Sequence, residues 1–255
     1  MRRRANSDFQ AAAALRETGK GDSEIARVTG IPRATLSAWR HGRGSELHRR
    51  MISATSAWRP PAPEAYCYLL GAYLGDGCLN VESEGSACLV IVLDSSYPGV
   101  ITEVETAIRR VLPETPVRRH PLSRGNATAV HARHPALPFA FPQHGPGRKH
   151  LRSIFLADWQ LELTKRHPRD LLRGLVHSDG CRTVNRFKTK LPSGRVASYE
   201  YPRYFFSNLS SDIRGIFCDH CDLLDIRWTP SNPRNISIAH RGSVATMDEF
   251  VGAKY

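Results

Sequence analysis

Residues 69–79 read LLGAYLGDGCL and residues 171–181 read LLRGLVHSDGC. A chain that repeats one helical stretch, each copy finishing in Asp-Gly-Cys, is constrained to a core of two related halves. The residues after each copy point the same way. Beyond Asp76 come two strand patterns around a turn at 84–86, a helix with apolar residues at 100, 101, 104, 108, 111 and 112, and a hairpin around 124–126. Beyond Asp179 come a hairpin around 192–194, a helix capped by Ser210 or Ser211, a hairpin around 231–233, and a last short helix after Ser243. Each half is therefore predicted as helix-strand-strand-helix-strand-strand, a degenerate tandem repeat.

The repeated helix carries small residues at helical spacing: Gly71, Ala72 and Gly75 in the first copy, Gly174 and Ser178 in the second. Such faces let two helices approach closely. If these two helices pair, their C-terminal ends lie together and Asp76 meets Asp179. Two carboxylates at the negative ends of two helix dipoles repel, and a divalent cation relieves the repulsion. All-oxygen ligands suit Mg²⁺, which keeps open positions for phosphate oxygens and water. A site of that kind can activate water and stabilise a leaving oxygen, which is phosphodiester hydrolysis.

Charge points to the same class of partner. The 255 residues carry a formal net charge of +12, with 36 Lys+Arg against 24 Asp+Glu, and 41% of them are hydrophobic. A surplus of that size with an adequate core implies a polyanionic partner. No apolar run approaches the roughly 20 residues of a membrane-spanning helix, and no signal-peptide core follows the charged start, so a cytoplasmic, nucleoid-associated protein without a membrane partner is expected. The six cysteines are expected to stay reduced; Cys218 and Cys221, in CDHC, read as two small apolar residues on a helix rather than metal ligands. His177 reads as a surface-helix histidine and Trp159 as a core anchor.

The first forty residues show three short helical patterns: one capped by Ser7 and running to about Thr18, one starting at Asp22 or Ser23 and stopped by Gly30, and one opening at Pro32. The stretch SEIARVTGIPRATLSAW resembles the helix-turn-helix of bacterial DNA-binding proteins in Ile25-Ala26, Gly30-Ile31 and Thr35-Leu36. That resemblance implies a last helix in the major groove, with Arg33, Thr35, Ser37 and Arg40 near the bases. Residues 42–64 lose periodicity and end in Pro60, Pro61 and Pro63, a linker.

LLGAYLGDG and LRGLVHSDG, with the element order after each, resemble the two motifs of the LAGLIDADG homing endonucleases. The resemblance covers about residues 65–255. It implies a pseudo-symmetric pair of αββαββα units at 65–150 and 151–255, which with the three-helix helix-turn-helix module at 1–44 and a linker at 45–64 makes an α+β fold. It further implies a magnesium-dependent hydrolase, a DNA endonuclease acting as a monomeric pseudo-dimer on double-stranded DNA, with two or three Mg²⁺ ions shared by Asp76, Asp179 and DNA phosphates. The family's assisting basic residues lie away from the motif. Lys188 and Lys190 are the catalytic candidates of the second half, with His240 and Arg241 nearby, and His131 and Arg133 are looser candidates in the first, where no lysine occurs between 21 and 148. Arginines recur on the predicted strands, and Arg182 and Arg186 are taken as DNA contacts. The departures at Leu74-Gly75 and His177-Ser178 from the family's acid-alanine pair leave a catalytically inactive DNA-binding transcriptional regulator as the alternative.

Overall fold

The computed structural model describes residues 6–33, 36–37, 58–81, 87–122 and 125–255. The chain divides into two compact units, Met1–Trp58 and Arg59–Tyr255.

In the first unit, α1 (Asn6–Glu17) and α2 (Asp22–Thr29) enclose a small core of Ala12, Ile25, Ile31 and Leu36. Gly30 ends α2 in the left-handed region at φ 66, where a residue without Cβ is unstrained, and its N–H closes the helix on Ala26 O. Arg16 ties α1 to the start of α2 and to the segment beyond it, donating to Asp22 Oδ1 at 2.8 Å and to Leu36 O at 2.7 Å. Of the four residues expected near DNA bases, Arg33 is exposed and Ser37 half-buried. Thr35, Arg40 and most of the expected third helix lie outside the described residues, as does most of the expected linker.

The second unit runs α3 (Pro63–Asp76), β1 (Gly77–Val81), β2 (Ala87–Asp94), α4 (Pro98–Val111), β3 (Val117–Pro121), β4 (Ala127–Arg133) and a single turn α5 (Leu137–Ala140). A 3₁₀ turn (Lys149–Leu151) and α6 (Asp158–Arg166) lead to α7 (Pro168–Asp179), β5 (Gly180–Lys190), β6 (Val196–Ser207), α8 (Ser211–Asp222), β7 (Thr229–Asn232), β8 (Asn235–Ile238) and α9 (Arg241–Asp248). The strands form two four-stranded antiparallel sheets of matching order, β1-β2-β4-β3 and β5-β6-β8-β7. The expected repeat is present in topology as well as in order. Among the described residues no helix is long and apolar enough to cross a membrane.

Both repeated helices begin with proline in the first turn, where the missing N–H would be unpaired anyway. Helix α3 is buried without a break from Ala65 to Leu74. That all-round burial follows from its neighbours, since α7, α4 and β2 each pack against it. Against α7 the spacing is set by glycine. A Cβ at Gly71 would lie 2.7 Å from Leu175 N, one at Gly174 would lie 2.9 Å from Ala72 N and closer still to Tyr68 O, and one at Gly75 would lie 2.5 Å from Ser178 Cβ. At Gly71 and Gly174 these are approaches to backbone, which no rotamer change relieves, whereas Gly75 faces the Ser178 and Asp179 side chains.

A buried polar chain fixes the segment between the repeats. Gln160, fully buried on α6, donates to Tyr66 Oη of α3 at 2.6 Å, while Gln143 Nε2 donates to Gln160 Oε1 at 2.5 Å and to Phe155 O at 2.9 Å. Trp159 packs its ring 5.4 Å from Tyr66. In an ordinary helix Gly→Ala gains about 1 kcal/mol of propensity. Here Gly174→Ala is expected to reverse that sign and destabilise by about 2–4 kcal/mol through overpacking. Chemical denaturation of both proteins measures it; a neutral or stabilising result would mean that the helices are further apart.

Candidate active site at the paired helix ends

Each repeated helix ends on its aspartate and passes directly into a strand that starts with glycine. Gly77 and Gly180 are extended, and a Cβ at either would lie within 3 Å of the preceding turn, at Tyr73 Cα (2.6 Å) and Val176 Cα (2.8 Å). This tight corner leaves Asp76 and Asp179 at the C-terminal ends of two touching helices, both half-buried. Asp179 Oδ2 lies 2.9 Å from the position of a Gly75 Cβ. Burial raises the carboxyl pKa of Asp76 to about 6, with the Asp179 charge as the next cause. Burial also raises that of Asp179, opposed by the Asn208 amide, which donates to Oδ2 at 2.5 Å, and by Lys149 and Lys254.

Two lysines meet the helix ends. Lys149, from the 3₁₀ turn, donates to the carbonyls of Tyr73, Leu74 (3.0 Å) and Gly75 (3.2 Å), the last turn of α3, and its ammonium lies 4.8 Å from the Tyr73 ring centroid. Lys254, in the segment after α9, donates to Ser178 O of α7 at 3.2 Å. A cation at the negative end of a helix dipole is favourable, and both ammonium groups also feel Asp76 and Asp179. Burial nevertheless lowers both pKa values, that of Lys149 to about 8. Burial thus shifts both acids toward the neutral form and both lysines toward losing their charge. A cavity of about 190 Å³ opens beside it, lined by Asp76, Asp94, Tyr97, Ser178 and Lys254 among others.

The donor set tests the fit of a divalent cation. Two half-buried carboxylates from different repeats, both pushed toward neutrality by burial and Asp76 also by the Asp179 charge, are what a hard cation would satisfy. Among the described residues no group of three or more His, Cys, Asp or Glu side chains converges on a common point. The remaining oxygen ligands would come from phosphate and water.

Several sequence-based expectations are corrected here. Lys188 and Lys190 are exposed on the distal part of β5, nine or more residues beyond Asp179, which is roughly 30 Å along a strand. They are not beside the acids; Lys149 and Lys254 are, including for the first half. Arg182 and Arg186 share the face of β5–β6 that carries buried Tyr204 and Phe206, the face turned to the helices. Arg182 forms a two-pronged ion pair with Asp248 at 2.7 and 2.8 Å, and Arg186 pairs with Glu200. His177 is 3% exposed, not on the surface: its Nδ1 meets Tyr68 Oη at 3.1 Å and its Nε2 meets Val251 O at 3.3 Å. Burial lowers its pKa to about 4, so it is neutral and ties α7 to α3 and to the segment that carries Lys254. His131 and Arg133 lie on β4, and His240 caps α9 by accepting from Ser243 N. Cys218 and Cys221 are buried on α8, where burial raises both thiol pKa values.

No protein-family model and no curated protein sequence matches the chain. Solved structures do. The LAGLIDADG meganuclease I-AabMI, solved bound to uncleaved DNA, is 11% identical, with 72% of this chain and 82% of that chain covered at a TM-score of 0.47. Mesophilic variants of the homing endonuclease I-DmoI give 14%, 74%, 89% and 0.47. The chain is similar in fold to LAGLIDADG homing endonucleases. It is also similar to full-length DUF199/WhiA from Thermatoga maritima, at 16% identity and a TM-score of 0.48, with 75% of this chain and 56% of that one covered. Identities this low leave chemistry to be read from the paired helix ends themselves.

The raised Asp76 pKa has a consequence for stability. A carboxyl whose folded pKa stands above its ordinary value of 3.8 stabilises the fold while protonated, and that contribution is lost as pH rises through about 6. The ionised carboxylate at pH 7.5 is therefore a cost. In EDTA, Asp76→Asn is expected to stabilise the protein by about 1–3 kcal/mol at pH 7.5, a Tm gain of roughly 3–8 °C. The gain should shrink to about half at pH 5. Thermal melts at both pH values measure it, and a lower Tm for the variant at pH 7.5 would contradict it.

Proposed function

We propose that this chain is a site-specific double-strand DNA endonuclease of the LAGLIDADG type, hydrolysing phosphodiester bonds at Asp76 and Asp179 with divalent cations, Mg²⁺ first among them. The observation that carries this reading is the meeting of two acids, one from each repeat, with a lysine attached to each helix end. When bound, the metal would polarise the scissile phosphate and lower the pKa of an attacking water.

The chain's own groups do the rest. Asp76 and Asp179 hold the cation-binding oxygens at fixed separation because the glycine contacts fix the helices. Lys149 and Lys254 place positive charge where the phosphate's negative charge grows, and the displaced pKa of Lys149 suits it to give or take a proton near neutral pH. One lysine accompanies each acid, so the pair of repeats can address both strands as a single-chain pseudo-dimer. The sheet faces turned away from the helices, with Arg118, His120, His131 and Arg133 on the first, would lie against the duplex. The first unit, read as a helix-turn-helix with Arg33, Thr35, Ser37 and Arg40 at its bases, would extend the contact.

One observation favours a second reading, a DNA-binding regulator that does not cut: the Asn208 amide already occupies an Asp179 oxygen that a cation would use. Cleavage decides between the two. Duplex DNA selected by the protein in Ca²⁺ and then exchanged into Mg²⁺ should show paired, site-specific breaks. Asp179→Asn should abolish them, and Lys149→Met should slow them by about 10²-fold or more, with DNA affinity little changed in both. Binding without breaks would establish the regulator, and breaks that survive Asp179→Asn would remove the assignment of the site. Deleting residues 1–58 should lower affinity and reduce the slope of log K against log salt; an unchanged slope would give that unit another role.

A further inference from the structure

The two sheets differ where they extend beyond the helices. Strands β1 and β2 have 5 and 8 residues, whereas β5 and β6 have 11 and 12. Strand β8 pairs only with Tyr204–Ser207 of β6, so the distal part of the β5–β6 hairpin is a two-stranded ribbon. Register assigns its faces. Arg182, Val184, Arg186, Lys188 and Lys190 lie opposite Tyr204, Pro202, Glu200, Ser198 and Val196 on the helix side. The other face carries Thr183, Asn185 and Phe187 opposite Arg203, Tyr201 and Tyr199.

On that outer face Phe187 stacks on Tyr199 with centroids 5.2 Å apart and meets Tyr201 edge-on at 6.0 Å. Asn185 spends its amide on Tyr201 Oη at 2.8 Å. Phe187 and Tyr199 remain 42% and 43% exposed. An apolar cluster at the end of an arm is an unusual thing to leave in water. The arm is basic overall: Lys188 and Lys190 lie on its helix side beside Arg182 and Arg186, which are paired with Asp248 and Glu200, while Arg203 lies on the outer face and Arg195 at the turn. Charge complementarity therefore selects a polyanion as occupant, and a two-stranded ribbon has the width that the major groove of B-DNA admits. Within that groove, methyl groups and aromatic rings match one feature only, the C5-methyl of thymine.

We propose that the outer face of the β5–β6 hairpin, through Phe187, Tyr199 and Tyr201, reads thymine methyl groups at the outer edge of the half-site bound by the second repeat. The first sheet presents Arg118, His120, His131 and Arg133 on its corresponding face, groups that recognise hydrogen-bonding base edges instead. The outer face of the second sheet also carries the polar groups Thr183, Asn185 and Arg203, so the aromatic patch is an addition that the first sheet lacks, and the two half-sites are read by different sets of groups. Phe187 stands eight residues beyond Asp179, ~26 Å along the strand at ~3.3 Å per residue. At ~3.4 Å per base-pair step the thymines fall roughly seven to eight steps from the centre.

The inference rests on the DNA-binding part of the proposed function, and its test separates the two. The full chain in Ca²⁺ is used to enrich binders from a duplex pool with about 30 randomised base pairs. The winning duplex is then synthesised with single thymines replaced by deoxyuridine, which removes only the methyl group. The expected result is affinity about 3- to 5-fold weaker per methyl lost, confined to one flank at that distance. In Phe187→Ser the thymine and uracil duplexes should bind equally. Deoxyuridine without effect on either flank overturns the inference and leaves the DNA-binding reading standing. The same holds if Phe187→Ser weakens both duplexes by one factor, because the rings then only hold the hairpin together. Failure to enrich any sequence overturns the DNA reading and the inference with it. The deoxyuridine series uses the unaltered protein, so a variant that folds poorly does not remove the test.

Discussion

The contact between α3 and α7 is the constraint on which the rest of the second unit depends. Gly71 and Gly174 bring two backbones to a distance that no side chain would permit, Gly75 leaves room for the Ser178 side chain, and the C-terminal ends of both helices are carried together. Once the helices touch, Asp76 and Asp179 have no freedom to separate, because each is the last helical residue before a strand anchored in its own sheet. Steric exclusion of water and mutual repulsion then follow from position alone. The electrostatics of the site are thus a product of packing several residues away, at the glycines.

That arrangement is unfavourable to the fold, and the surrounding structure offsets it. Lys149 and Lys254 put positive charge on the two negative helix ends, yet each is itself buried enough for its pKa to fall. Both depend on segments outside the repeated helices. The Gln143–Gln160–Tyr66 chain fastens the inter-repeat segment from which Lys149 enters. The neutral His177, between Tyr68 and Val251, fastens the C-terminal segment from which Lys254 enters. Tyr255 extends this second fastening by donating from its hydroxyl to Glu103 at 2.7 Å, while its carbonyl accepts from Gly99 N at 2.7 Å. The Gln143–Gln160–Tyr66 and Tyr68–His177 bonds that hold the lysines from behind are buried, whereas the Tyr255–Glu103 bond is exposed.

How much of this could be read in the sequence depended on whether the determinant was local. The repeated motif, its small residues and its terminal aspartates sit within a dozen positions of one another, so the helix pair and the acids were legible. The lysines were not. Lys149 and Lys254 follow the last strand of their repeats and reach the helix ends only through chain return, which no spacing rule encodes; position near the motif favoured Lys188 and Lys190 instead. The placement of Arg182 and Arg186 was not legible for a different reason. Strand side chains alternate, so their face depends on a one-residue register that the burial of Tyr204 and Phe206 fixes and the arginines do not. His177 likewise has a polar name but lies on the buried side of α7, a position decided by what packs there.

The two repeats are alike at the centre and unlike at the edge. Strand order, aspartate, glycine corner and capping lysine recur, whereas strand length and the chemistry of the outer faces do not. A homodimer cannot make that distinction, because its symmetry presents the same surface twice. A single chain of two repeats can keep one chemistry for two strands while each half diverges in what it touches. On the proposed function, the tandem repeat is what allows a symmetric reaction on an asymmetric duplex. The glycine contact then has a further role: Gly71 and Gly174, at equivalent places in the two copies, each face the backbone of the other helix, so a side chain at either would push apart the helices that carry both acids.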